Sequence, residues 1–260
     1  VRSEHRKYLP QLERETDDSY DRRLSRSNVV PFTQRIEKML AGMITRKPVR
    51  LDDVSDLVRE QLFDVDLEGN DLNVWLYETA RTAISFGHVG VLVDAPKGGD
   101  KTRPYWVTYS PRNILGWRSE IIDGARQLTQ LRLLENVVEP DGKYGEKQVK
   151  QIRVLERGRY EIHRKDKKNS EYKLFDEGEM SLKDKIPFAI AYSNRVGYYE
   201  SRSPLYDIAE LNLKHYQIQS DLDNILHISS VPLLAVFGYP NADEITTGPS
   251  EALALPPESR

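Results

Sequence analysis

The stretch from Ile186 to Gly238 constrains this chain most. It opens with a β-rich run, Ile186-Pro187-Phe188-Ala189-Ile190-Ala191-Tyr192-Ser193-Asn194. A turn-prone link leads to Ser203-Pro204-Leu205, and from Leu205 to Ser229 no glycine or proline interrupts the chain. A second β-rich run, Val231-Pro232-Leu233-Leu234-Ala235-Val236-Phe237-Gly238, follows. The expected order is strand, one long helix, strand. Ser203 is a natural N-cap, and Pro204 suits the first helical turn, where its missing N–H has no partner to lose. At about 1.5 Å per residue, the Ser203–Ser229 helix is roughly 39 Å long.

Ile208, Leu211, Ile218, Leu222 and Ile225 recur on this helix at steps of three and four, with His215 in the one polar slot. Such a stripe is a seam for a neighbouring helix. Asn212, Lys214, Gln217, Gln219, Ser220, Asp221, Asp223 and Asn224 cover the remaining surface. Lys214 is the only Lys or Arg from Pro204 to Ile228, against Asp207, Glu210, Asp221 and Asp223. A long helix with so much polar surface bridges domains or subunits, or lines a channel.

Composition excludes several classes. Hydrophobic residues make up 38% and charged residues 30%, a surface-rich balance leaner in apolar side chains than a compact enzyme. The net charge of −3 carries no global signature of nucleic-acid binding. No cysteine is present, which excludes disulfides and thiolate metal sites and fits a reducing compartment. No stretch approaches the length of an apolar membrane span, so no membrane partner is expected. Both ends, Val1-Arg2-Ser3 and Pro257-Glu258-Ser259-Arg260, are expected to be cuts in a longer chain.

Residues 1–87 read as helical. Thr16 to Ser19 offers caps to a helix ending near Ser27. Phe32, Ile36, Met39, Leu40 and Met43 give the next helix one apolar face, and Pro48 ends it. A short helix is expected over Val54–Leu62, then a longer one carrying Leu72, Trp75, Leu76, Thr79, Ala83 and Phe86, closed by Gly87. Residues 88–200 read as β-rich. Strands are expected over Val89–Val93, Tyr105–Tyr109, Gln127–Val138, Val149–Leu155 and Tyr160–Arg164, with connections at Asp141–Gly145 and Lys165–Ser170. Residues 201–230 then form the long helix and 231–260 a further segment. The fold class is α+β.

No side-chain constellation reads as catalytic, cofactor-binding or metal-binding. Gly87-His88-Val89-Gly90 precedes a strand and lacks the phosphate-loop pattern, so it reads as a helix end. His5, His88, His163, His215 and His227 show no metal-ligand spacing. Asp221 and Asp223 point to different sides of a helix, and Asp207 with Glu210 reads as acid placed near the positive helix end. Arg157-Gly158-Arg159 and Arg164–Lys168 read as solvated hairpin tips.

The order of several runs resembles the portal proteins of tailed double-stranded DNA bacteriophages, in a portal-like form common in phages of marine and aquatic bacteria, including cyanophages. These runs are Tyr8-Leu9-Pro10, Tyr20-Asp21-Arg22-Arg23-Leu24, Ile44-Thr45-Arg46-Lys47-Pro48, Gly87 to Asp94, Ser110 to Trp117, Ile186 to Asn194, Ser203 to Asn212, Ser220 to Asn224 and Val231 to Gly238. The resemblance spans nearly the whole chain. It implies a portal fold: a wing, helical over 1–87 and β-rich over 88–200, a stem helix over 201–230 and the start of a clip over 231–260. The remaining clip, second stem helix, tunnel loop and crown would be missing.

The implied function is a ring-forming structural conduit at one capsid vertex for packaging and ejecting double-stranded DNA. The implied partners are further copies of the chain in a ring of about twelve, double-stranded DNA held without sequence specificity, the terminase large subunit, a head–tail adaptor, and the major capsid and scaffold proteins. The implied location is the portal vertex of the virion, after assembly in the host cytoplasm. Lys214, Gln217, Asp221 and Asn224 are then expected to face the channel. Ile208, Leu211, Ile218, Leu222 and Ile225 are expected to pack between subunits. A polar, acidic wall would let a polyanion slide, since cation contacts bind DNA tightly. Competing expectations are a metal-dependent nucleic-acid-processing enzyme with converging carboxylates, and a ring-forming capsid or tail scaffold that conducts no DNA.

Overall fold

The computed structural model describes residues 5–13, 15–96, 103–165, 171–230, 234–237 and 252–255. The chain begins with helices: α1 His5–Tyr8, α2 Asp17–Arg26, α3 Phe32–Ile44, α4 Asp56–Gln61 and α5 Leu72–Phe86. Strands follow: β1 His88–Asp94, β2 Tyr105–Tyr109, β3 Ile114–Ile122, β4 Ala125–Asp141, β5 Gly145–Glu156, β6 Arg159–Lys165, β7 Tyr172–Glu179, β8 Phe188–Tyr192, β9 Arg195–Gly197 and β10 Glu200–Ser201. Helix α6, Tyr206–Ser230, precedes β11 Leu234–Phe237 and β12 Ala252–Leu255, which pair in parallel. The class is mixed α and β with antiparallel main sheets.

Two compact units divide the chain: residues 34–206 form one, and residues 1–33 with 207–260 form the other. The expected helical segment 1–87 is therefore shared between them. The change from helix to strand falls at Gly87, where the sequence places it.

In the 34–206 unit, β2-β1-β8 make one sheet and β3-β4-β5-β6-β7 make a second, with each neighbour antiparallel. Local chemistry explains the meander. Asp123 and Gly124 both adopt positive φ, so this two-residue turn twists with the strands it joins and sets the β3–β4 register. Leu131 lies opposite Leu155, which lies opposite Tyr160, so one face of three strands is apolar. With Leu133, Leu92, Tyr109 and Ile186, these leucines form the buried core of the unit.

An ion network also crosses this unit. Arg153 on β5 donates from Nη1 to Asp94 Oδ2 on β1 at 2.5 Å, and its Nε forms an ion pair with Glu135 on β4 at 2.9 Å. Tyr109 donates to the same Glu135 oxygen at 2.6 Å, and Gln151 to the other at 2.7 Å. Burial and the adjacent Glu135 carboxylate push the Tyr109 hydroxyl pKa strongly upward.

The helices follow their caps. Thr16 accepts from Ser19 N at the start of α2, and Asp71 accepts from Val74 N at 2.9 Å at the start of α5. Trp75, Thr79 and Ala83 line the buried side of α5, and Trp75 meets Trp106 edge-on at 4.9 Å. Helix α3 departs from expectation. Ile36 and Leu40 are half-buried and Ala41 is fully buried, while Phe32, Met39 and Met43 are exposed. The helix is turned so that Glu37 reaches Arg81 at 2.8 Å, which rotates part of its apolar stripe outward. Some elements and connections depart from expectation. The four-residue α1 and strands β3, β7, β9, β10 and β12 had not been expected. The Lys165–Ser170 connection lies outside the described residues beyond Lys165, and so do the flanks of the expected 231–238 strand around β11.

Candidate functional site: the two faces of the long helix

Helix α6 is 25 residues long and starts at Tyr206, three residues after its expected cap. Ser203 does cap a turn: Leu205 N donates to its hydroxyl at 3.1 Å and Tyr206 N to its carbonyl at 3.2 Å. The same hydroxyl donates to the Ile84 carbonyl at 3.1 Å, so Ser203 and Pro204 anchor the approach to the helix.

The polar side of α6 faces protein. Tyr216 and Ser220 are fully buried. Against them lies a clasp built from α1, α2 and the link between. Arg23, 3% exposed, forms a two-pronged ion pair with Glu15, at 2.8 Å from Nε and 2.7 Å from Nη2. Its Nη2 also donates to Pro10 O at 2.9 Å, and Nη1 lies 3.4 Å from both Ser220 Oγ and Asp221 Oδ1. The guanidinium sits over the Tyr20 ring at 5.5 Å, and Tyr20 donates to Leu9 O at 2.6 Å. The Ser27 and Ser220 hydroxyls are 2.7 Å apart. The planar guanidinium suits this place because its donors satisfy several acceptors at once in a fixed fork.

Two of the residues expected to face a channel have partners within the chain. Gln217 donates from Nε2 to the Tyr8 carbonyl at 3.0 Å, and Asp221 faces Arg23. Both contact the N-terminal segment, and the Asp221 side chain keeps 49% of its surface exposed. Asn224 is half-buried and Lys214 is exposed. Asp223 accepts from Gln219 at 2.8 Å, within the helix.

The apolar side of α6 faces outward. Leu211 is 67% exposed, Ile218 56%, Leu222 46% and Ile225 59%, while Ile208 is half-buried. His215, in the polar slot of the stripe, meets the Phe32 ring edge-on at 5.6 Å. Single exposed leucines are ordinary, but a contiguous row along several turns marks an interaction surface. Mid-helix, Tyr216, Gln217 and Ser220 thus meet the N-terminal segment while the apolar row faces outward; Asp207, Glu210 and Lys214 are exposed.

The clasp has an acid sensitivity. Hydrogen bonding to Arg23 holds the Glu15 carboxyl below its ordinary value of 4.5. Its folded pKa lies below its unfolded one, so the ion pair stabilises fully above about pH 4.5 and that stabilisation is lost as pH falls through the lowered folded value. Hydrogen exchange of α6 amides is expected to accelerate in that window for the parent protein. Glu15→Gln removes this component of the response; an unchanged acid profile in the variant would sink the assignment.

Elsewhere, Asp94 and Glu135 converge from separate strands, the arrangement a carboxylate enzyme needs. Here they converge on the Arg153 guanidinium, whose charge already satisfies them. His88 Nδ1 lies 2.5 Å from Ser201 Oγ, and burial lowers the imidazole pKa. Ser201 Oγ is also 3.3 Å from Phe86 O, so the pair fastens β10 to the end of α5.

A model of a family described as a domain of unknown function, DUF4055, matches residues 204–260, which include all of α6. No curated protein matches the chain.

Proposed function

We propose that this chain is a subunit of a phage portal, a ring-forming conduit at one capsid vertex through which double-stranded DNA is packaged and ejected. The observation that carries the reading is the outward apolar stripe of α6. A helix held to its own unit by a buried polar clasp, with Leu211, Ile218, Leu222 and Ile225 left in solvent, suits side-by-side packing with other subunits. The matched family has no described function and adds none. In this reading α6 is a stem helix, the chain performs no catalysis, and its partners are further copies, DNA, a packaging motor, a head–tail adaptor and capsid proteins. Lys214 remains the exposed candidate for the channel wall. Gln217 and Asp221 also contact the N-terminal segment.

Negative-stain imaging tests this reading. The expected result is rings with a central hole wide enough for duplex DNA. Leu222→Asp is expected to abolish rings while leaving the circular dichroism spectrum unchanged, since exposed substitutions alter stability by only about 0.5 kcal/mol. A monodisperse monomer at every protein concentration overturns the proposal.

A further inference from the structure

We propose that the exposed stripe of α6 docks antiparallel onto the exposed stripe of α3 in a second copy of this chain. The inference rests on the portal reading and names the surface that its stripe meets. Helix α3 turns Phe32, Met39 and Met43 outward, and Met43 is 66% exposed. Methionine side chains adapt to irregular partners, which suits a contact repeated around an assembly. Spacing matches. Phe32 and Met43 lie eleven residues apart, as do Leu211 and Leu222, so the outer pairs can meet in either orientation. Two antiparallel helices bring Met43 beside Leu211 and Phe32 beside Leu222, with Ile36 near Ile218 and Met39 opposite His215.

Charge selects this orientation. Glu37 is the only acid from Phe32 to Pro48 and is ion-paired with Arg81, while Arg35, Lys38, Arg46 and Lys47 are exposed. Antiparallel docking sets Arg46 and Lys47 at the end of α6 that carries Asp207 and Glu210. Parallel docking at the same spacing would set Arg35 beside Lys214. The helix dipoles also oppose favourably when antiparallel. The contact joins different patches of two identical chains, so it leads on to a third copy, and such a head-to-tail contact builds a ring where its rotation closes.

The 260 residues contain no cysteine, so paired cysteines report contact directly. Met43→Cys and Leu211→Cys proteins, co-expressed and oxidised, are expected to form a disulfide dimer that neither variant forms alone. The double variant Met43→Cys/Leu211→Cys is expected to give a ladder of higher multimers. Met43→Cys with Leu222→Cys is the mispaired control, since Leu222 lies about 16 Å further along the helix. Arg46→Glu is expected to weaken association about two- to fivefold, and Glu210→Arg in the same chain to restore it. Rings without the Met43–Leu211 adduct overturn this pairing and leave the portal reading intact. A cross-linked monomer, or equal yield from the mispaired control, also overturns it. Absence of any oligomer overturns both.

Discussion

Arg23→Ala is expected to destabilise the unit containing α6 by about 3–5 kcal/mol, because removing one partner of a buried pair leaves the other charged and dry. Glu15 is only 5% exposed and loses both prongs of its ion pair. Pro10 O loses a donor, and the polar row Ser220–Asp221 loses its cation. The measurement is urea unfolding, with hydrogen exchange of α6 as a local report. Arg23→Lys is expected to recover little, since an ammonium cannot form the fork. The double variant Arg23→Met/Glu15→Gln is expected to be more stable than Arg23→Ala, because no buried charge is left unpaired. A loss below about 1 kcal/mol in Arg23→Ala would show that the cluster is not what holds α6.

The second large effect is expected at Gly87. It closes α5 at φ +91°, in the left-handed region, and its N–H donates to Ala83 O at 2.7 Å. A Cβ there would lie 2.5 Å from Ser201 Oγ and 2.7 Å from the Arg202 carbonyl carbon. Left-handed strain of about 1–2 kcal/mol adds to overpacking of about 1–3 kcal/mol. Gly87→Ala should therefore lower stability by about 2–5 kcal/mol. Gly124 separates the two causes. Its φ is also positive, at +75°, but a Cβ there meets nothing within 4 Å. Gly124→Ala should lose only the strain component. Equal losses in the two variants would show that the close approach to β10 is unimportant.

Much of the fold was legible because the signals were local. Thr16, Asp71 and Gly87 mark helix ends by their own hydrogen bonds or backbone freedom; the strands from Gln127, Val149 and Tyr160 carry apolar alternation, and those from Val89 and Tyr105 are short β-rich runs. Strand β7, Tyr-Lys-Leu-Phe-Asp-Glu-Gly-Glu, lacks that pattern because it is the edge of its sheet and largely exposed. Strand β3 could have been found from the Asp123-Gly124 turn, a strong two-residue hairpin signal.

The site was half legible. The spacing of Leu211, Ile218, Leu222 and Ile225 identifies an apolar stripe on α6, but periodicity does not say which side of a helix its own chain will cover. Phe32, Met39 and Met43 on α3 repeat that lesson. The Arg23 cluster was hidden for a different reason. Glu15 lies eight residues before it, outside the helix that carries Arg23, and Ser220 lies 197 residues after it, so no helical or strand spacing links either to Arg23.

That separation sets a clock. Arg23 and Ser220 are 197 positions apart, and the whole 34–206 unit lies between the two parts of theirs. At about 5–20 residues per second, ribosomal synthesis separates them by roughly 10–40 s. The enclosed unit can fold before the enclosing one has its second half. Until α6 emerges, α2 carries a buried-type Arg–Glu pair with no helix to close over it. The apolar stripe takes its finished position only after Ser230 has been made, so products that end before α6 keep the α3 stripe and lack the surface it is proposed to meet.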